Sequence, residues 1–151
     1  MVKPFSPAPS AALRAALEAA RPGPVRVEKA AGCLSAAVTG ALDAPPLRVK
    51  IGKRRPADAR SELHGLYEPA EDGDPACITV WMYTAQHRRV VKFRTFLRTL
   101  AHELCHHLDY ELLGLEESFH TAGFFKRESC LYRRLLGDAP GDAPPDAARG
   151  C

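Results

Sequence analysis

The chain contains no Cys-x-x-Cys pair, no long apolar run and no strong excess of either charge sign. Its five cysteines, Cys33, Cys77, Cys105, Cys130 and Cys151, are odd in number and widely dispersed. That pattern argues against a disulfide framework and against a thiolate zinc site, and it predicts reduced, packed thiols. No apolar stretch approaches the roughly 20 residues that a membrane-spanning helix needs, so no membrane partner is expected. The first ten residues carry one Lys and three Pro, without the charged-then-apolar order of a secretory leader. A cytoplasmic protein is the expectation. A net charge of +3 falls short of the basic footprint that by itself marks a nucleic-acid binder.

What is present is an ordinary globular balance, 46% hydrophobic and 26% charged over 151 residues, enough for one domain with a modest core. The stretch from Gly137 to Cys151 concentrates Ala, Pro, Gly and Asp and buries too little surface to order itself. Residues 1–9 read as a flexible N-terminus, 10–136 as the folded domain and 137–151 as a disordered tail. Within the domain, Ser10 can cap a short helix carrying Leu13 and Leu17, with Arg21-Pro22-Gly23-Pro24 as its breaker. An Ala-rich segment from Glu28 to Leu42 predicts a second helix, closed by Pro45-Pro46. Leu47, Val49 and Ile51 alternate with Arg48 and Lys50 as in a half-buried strand. Ser61 to Tyr67 is a weaker strand candidate. Cys77 to Tyr83, rich in β-branched and aromatic residues, is the clearest strand. From Val90 the period changes. Phe93, Leu97, Leu100, Leu104 and Leu108 recur at three and four residues, the buried stripe of an amphipathic helix. Ser118 or Thr121 can cap a last helix that Gly137 stops. Helices, three strands and two further helices make an α+β domain.

The chemistry lies in His102-Glu103-Leu104-Cys105-His106, a His-Glu-x-x-His pattern inside the predicted motif helix. Residues four apart share a helix face, so both imidazoles can reach one zinc ion at about 2.0–2.1 Å. Glu103, rotated by about 100° from His102, stands beside the ion without ligating it. From there its carboxylate can take the proton of a water that zinc acidifies toward a pKa near 7. A catalytic zinc needs a third protein ligand. His120 is the best candidate, with Glu116, Glu117 and Glu128 competing. Glu128 falls between Phe124 and Leu131 on an apolar helical face, so it is either a ligand or a group that orients one of the histidines. His107 reads as a hydrogen-bonded core histidine, Asp109 as an acceptor for a ring N–H or a solvated acid, and Cys105 as packed away from the ligands. Tyr67, Tyr83, Tyr132, His64 and Arg127 are the candidates for stabilising an oxyanion.

With His120-x-x-Gly-Phe following the motif, the segment from about Ile78 to Leu136 resembles the minimal zincin peptidases of the SprT-like and WLM type. In this sequence Gly123 follows His120 by three positions, whereas that pattern has Gly directly after the third His. A looser resemblance links His102 to Asp109 with a bacterial family carrying a His-Glu-x-x-His-His-x-Asp core. The resemblance implies that 10–136 is a small zincin-like catalytic domain, a short three-stranded sheet packed on the motif helix. It also implies a zinc metallopeptidase acting on a peptide or protein substrate, bound in extended form along a strand at the cleft, here Cys77 to Tyr83. Two basic groups, Lys50, Lys53, Arg54 and Arg55 and then Arg88, Arg89, Lys92, Arg94 and Arg98, read first as solvated surface and secondarily as phosphate contacts. The competing reading of the whole chain is therefore a catalytically silent, metal-stabilised binding module associated with nucleic acid.

Overall fold

A computed structural model of the chain describes residues 8–54, 65–84 and 89–137. Two helices lead, α1 (Ala8–Leu17) and α2 (Pro24–Leu42). Helix α1 starts two residues before the expected Ser10 cap. Ser10 is buried inside the first turn, and its hydroxyl has no partner. Helix α2 starts four residues earlier than Glu28, because Pro24 occupies the first turn, where a missing N–H costs nothing and the fixed φ suits the helix. It ends at Asp43 in the left-handed region (φ 55°), ahead of the prolines.

Strands β1 (Arg48–Arg54), β2 (Gly65–Glu68) and β3 (Cys77–Tyr83) follow and form one sheet in the order β1-β3-β2. Strand β1 pairs with β3 in parallel, in a register that places Val49 against Ile78, and β2 pairs with β3 antiparallel, with Tyr67 against Ile78. The Ser61–His64 part of the expected second strand lies outside the described residues. Within the central strand β3 the buried Ile78, Val80 and Met82 alternate with the half-buried Thr79, Trp81 and Tyr83, so one face meets the core and the other is partly covered. Helix α3 (Phe93–Glu111) carries the predicted stripe, and α4 (Ala122–Leu136) returns to pack along it. Thr121 caps α4 by accepting the N–H of Phe124 at 3.2 Å, and Gly137 (φ 79°) ends it. The fold is α+β, and no helix among the described residues is long and apolar enough to cross a membrane.

One core joins these layers. Leu13, Val27, Leu34 and Val38 from the leading helices meet Ile78, Val80 and Met82 of β3, Phe96, Leu97, Leu100 and Leu104 of α3, and Phe124 and Leu135 of α4. Cys33, Cys77 and Cys105 are free thiols, as expected, whereas Cys130 is disulfide-bonded. Helix α3 changes character along its length. Its first turns bury hydrocarbon; its second half also buries Glu103, His107 and Asp109. Three polar groups held dry on one helix need partners. Those partners build the site.

Candidate metal centre

Helix α3 projects His102 and His106 from successive turns, and the loop after it brings His120 across them. The Nε2 atom of His120 lies 3.1 Å from Nε2 of His102 and 3.1 Å from Nε2 of His106. The three imidazoles offer nitrogens that all lie within 4.8 Å of one another. Phe124, fully buried at the start of α4, packs its ring against all three imidazoles, with centroid separations of 4.9, 4.7 and 5.2 Å. It is an apolar floor that keeps the rings upright.

The arrangement fits a metal ion. Two bonds of 2.0–2.1 Å meeting at a tetrahedral angle place their nitrogens about 3.3 Å apart, close to the separations found. Hydrogen bonds among the three imidazoles do not satisfy the cluster by themselves. A single N–H on His120 serves one neighbour and leaves the other nitrogen facing it without a partner, whereas one cation satisfies all three lone pairs. The three imidazoles can thus hold a metal ion.

Two of the three imidazoles, His102 and His106, have a partner on their far side. Nδ1 of His102 meets Oε2 of Glu128 at 3.5 Å, the long limit of a hydrogen bond. Glu128 thus sits behind His102 and outside the group of three imidazoles that could hold a metal. Nδ1 of His106 lies 2.7 Å from Ser118 Oγ, Ser118 Oγ lies 2.7 Å from Asp109 Oδ2, and Arg127 donates to Asp109 Oδ1 at 2.9 Å. Asp109 is only 1% exposed, so it is not a solvated acid. Glu116 and Glu117 are exposed and take no part.

Electrostatics suit a cation. Burial pulls the imidazole of His102 below its ordinary pKa, with Glu128 opposing. Burial, then the neighbouring His102 and His120, take His106 down to about 4, with Asp109 opposing. Both rings are thus neutral near pH 7, the form that donates to a metal. Glu103 goes the other way, raised to about 7 by burial first and by the charge of Glu128 second. Its carboxyl packs beside Gly65 of β2. A Cβ added at Gly65 would come within 2.9 Å of Glu103 Cγ and Oε1 and 2.8 Å of Thr99 Cγ2. That close approach requires glycine.

The cleft over these groups has a volume of about 310 Å³ and is bounded by Gly65, Leu66 and Tyr67 on one side and His102, Glu103, His106 and His120 on the other. The bordering strand is thus β2, which corrects the expectation for Cys77 to Tyr83. As the middle strand β3 has both edges paired, while β2 is an edge strand among the described residues. Tyr67, one oxyanion candidate, lines the cleft but its proton is committed. His107 Nε2 must donate to the carbonyl of Pro45 at 2.7 Å, so its Nδ1 accepts from the Tyr67 hydroxyl at 3.1 Å. His107 is a fully buried, fully bonded core histidine, as expected. Arg127 is engaged by Asp109, Tyr132 lies under the Arg98 guanidinium, and Tyr83 does not line the cleft. His64 lies outside the described residues. Tyr110, stacked on Tyr67 at 5.7 Å, lines the cleft and was not among the candidates. Cys105 is buried among apolar groups, its thiol pushed up to about 12 chiefly by burial. Of the basic groups, Lys50, Arg89, Lys92, Arg94 and Arg98 are exposed, and the side chains of Lys53, Arg54, Arg55 and Arg88 lie outside the described residues.

Comparison with protein-family models, with curated proteins and with solved structures finds no match to this chain. The site is accordingly read from its own chemistry.

Proposed function

We propose that the protein is a zinc-dependent hydrolase, a metallopeptidase in which Glu103 is the catalytic base and His102, His106 and His120 hold the metal. The observation that carries this reading is the convergence of three imidazoles, with His120 Nε2 3.1 Å from Nε2 of both His102 and His106, beside a buried carboxylate in an open cleft. Zinc is the metal that best matches an all-imidazole, roughly tetrahedral donor set, and when bound it supplies a Lewis acid that makes water nucleophilic near neutral pH.

The chain's own residues supply the proton chemistry. Glu103, a carboxyl that burial raises to about 7 before any metal binds, stands beside the imidazoles where it would accept a proton from water and return it to a leaving amine. A purely structural metal site has no use for such a group. Strand β2, whose outer edge is unpaired among the described residues, lines the cleft, which favours an extended peptide as substrate, since an unpaired strand edge recruits backbone N–H and C=O groups irrespective of side chains. Leu66, half exposed on that strand, adds an apolar contact at the cleft wall.

The test is elemental analysis of the purified protein, then turnover of a peptide library by wild type and Glu103→Gln. The expected result is about one equivalent of zinc in both proteins, with hydrolysis at least ~100-fold slower in the variant. Equal hydrolysis by a zinc-loaded Glu103→Gln protein would remove Glu103 from the mechanism. Absence of zinc from the wild type even when it is supplied would remove the metal, and a binding-module reading would take its place.

A further inference from the structure

We propose that Asp109, Ser118 and Arg127 are positioning residues that commit His106 to donate through Nε2 and hold the His120 loop over the metal. The inference rests on the three-imidazole site described above and goes beyond it to the groups that set its geometry.

The direction of each hydrogen bond follows from what each group can do. Arg127 only donates, and its Nη2 occupies Oδ1 of Asp109 at 2.9 Å. The carboxylate of Asp109 only accepts, so its Oδ2, 2.7 Å from Ser118 Oγ, takes the single hydroxyl proton of Ser118. Ser118 Oγ can then only accept from His106 at 2.7 Å, which places the ring proton on Nδ1. Nε2 of His106 is left with its lone pair, and this is the atom that faces His120 Nε2. The acceptor-only carboxylate of Asp109, held in place by the Arg127 guanidinium, thus sets the tautomer of His106 through Ser118.

The same serine anchors the loop. From Leu112 to Gly123 every residue except Ser118 is exposed. Asp109 grips this segment twice, by its carboxylate on Ser118 and by its backbone carbonyl, which accepts from the N–H of Leu115 at 3.1 Å. His120 lies two residues beyond Ser118 on that otherwise solvent-facing loop. Losing the anchor therefore affects two ligands together, His106 through its tautomer and His120 through its placement.

Asparagine at position 109 makes the inference sharp. If its amide oxygen keeps Arg127, its NH₂ group faces Ser118 and donates to it. With no acceptor left at position 109 for its proton, Ser118 is expected to turn that proton to His106 Nδ1, which moves the ring proton onto Nε2 and blocks the metal-facing atom. A role in packing alone gives the opposite order, because Asp109→Asn is nearly isosteric.

The experiment is zinc affinity by competition with a chromophoric chelator at pH 7.5, paired with long-range ¹H–¹⁵N NMR of the imidazoles in the zinc-free proteins. Ser118→Ala should weaken zinc about 10-fold and Asp109→Asn about 100-fold, the range known for groups that orient metal ligands. The double variant, in which no hydroxyl can relay the reversed bond, should recover to about the Ser118→Ala level. NMR should place the His106 proton on Nδ1 in the wild type and on Nε2 in Asp109→Asn. Recovery in the double variant also excludes misfolding, since that protein still carries the Asp109→Asn change. Asp109→Asn binding zinc as tightly as Ser118→Ala, a double variant no tighter than Asp109→Asn, or an unchanged tautomer would each overturn the proposal. A wild type with the proton on Nδ1 that nonetheless binds no zinc would overturn the proposed function while leaving the relay itself standing.

Discussion

Glu103 is the residue on which burial and chemistry pull hardest against each other. In the metal-free protein it keeps its proton up to about pH 7, against an ordinary carboxyl value of 4.5. Between those values the folded state holds a proton that the unfolded chain releases, so the contribution of Glu103 to stability is fully present below 4.5 and is lost as pH rises through 7. His106 acts in the opposite sense. Its lowered value makes its contribution present above 6.5 and lost as pH falls through about 4. Comparing zinc-free wild type with zinc-free Glu103→Gln cancels the histidine part, which both proteins share. The stability of the wild type relative to the variant should fall by up to about 3 kcal/mol as pH rises from 4.5 to about 7, at roughly 1.4 kcal/mol per pH unit. Urea unfolding in the presence of a chelator reads this directly, and parallel pH curves for the two proteins would show that Glu103 is not held in a desolvating site. The residues of the cluster were largely legible in the sequence. A helical four-residue step places His102 and His106 together, and the need for a third ligand points at His120. Ser118 in its relay and Phe124 as the floor were not legible, because each acts through a fold-back of the chain, which no local spacing encodes.

Elements set how close these residues come. Helix α3 and strand β2 can meet at Glu103 only because position 65 has no side chain. Gly65→Ala should therefore cost about 1–3 kcal/mol from overpacking. It should also slow peptide hydrolysis without loss of zinc, since the methyl would displace Glu103 and none of the imidazoles. Gly32 in the middle of α2 is the control. Nothing lies within 4 Å of a Cβ placed there, so Gly32→Ala should stabilise by about 0.5–1 kcal/mol through helix propensity alone. Thermal melts of both variants decide the matter; a neutral Gly65→Ala would mean that β2 and α3 are free to move apart. The same contrast marks where elements could be read from sequence. Helices α3 and α4 declared themselves by long apolar stripes with recognisable stops, and β3 by its β-branched run. Strand β2 is only four residues, exposed at Leu66 and Glu68, and has too little pattern to separate it from a loop. Which strand lies at the edge is a matter of pairing partners. Here the resemblance pointed to β3, which its pairing with both β1 and β2 places in the centre of the sheet.

At the scale of the whole molecule, the proposed metal site is a local clip on a fold that has its own core. The imidazoles belong to α3 and the loop that follows it, a span of 18 residues from His102 to His120. The packed hydrophobic cluster instead draws on α1, α2, β1, β3, α3 and α4, and Phe124 is the main residue shared between the two. Small zinc modules that lack a core unfold without their ion. This chain should not. Chelation should leave the far-ultraviolet circular dichroism nearly unchanged and the unfolding cooperative. Free zinc at about 1,000 times its Kd should add about 4 kcal/mol by mass action. In a domain of this size that is a rise in Tm of roughly 10–20 °C. The change on metal removal should concentrate in the exposed loop from Leu112 to Thr121, where Ser118 and His120 are the inward attachments. Limited proteolysis of the chelated protein should cut there first, and zinc should suppress that cut. Global unfolding on chelation would mean that the core is too small to stand alone and that the metal is structural, which would weaken the case for an open catalytic position. A folded, metal-free protein with one newly cleavable loop is what a hydrolase built on a pre-formed helix requires. His102, Glu103 and His106 would stay in place on α3, and only the third ligand would wait for the ion.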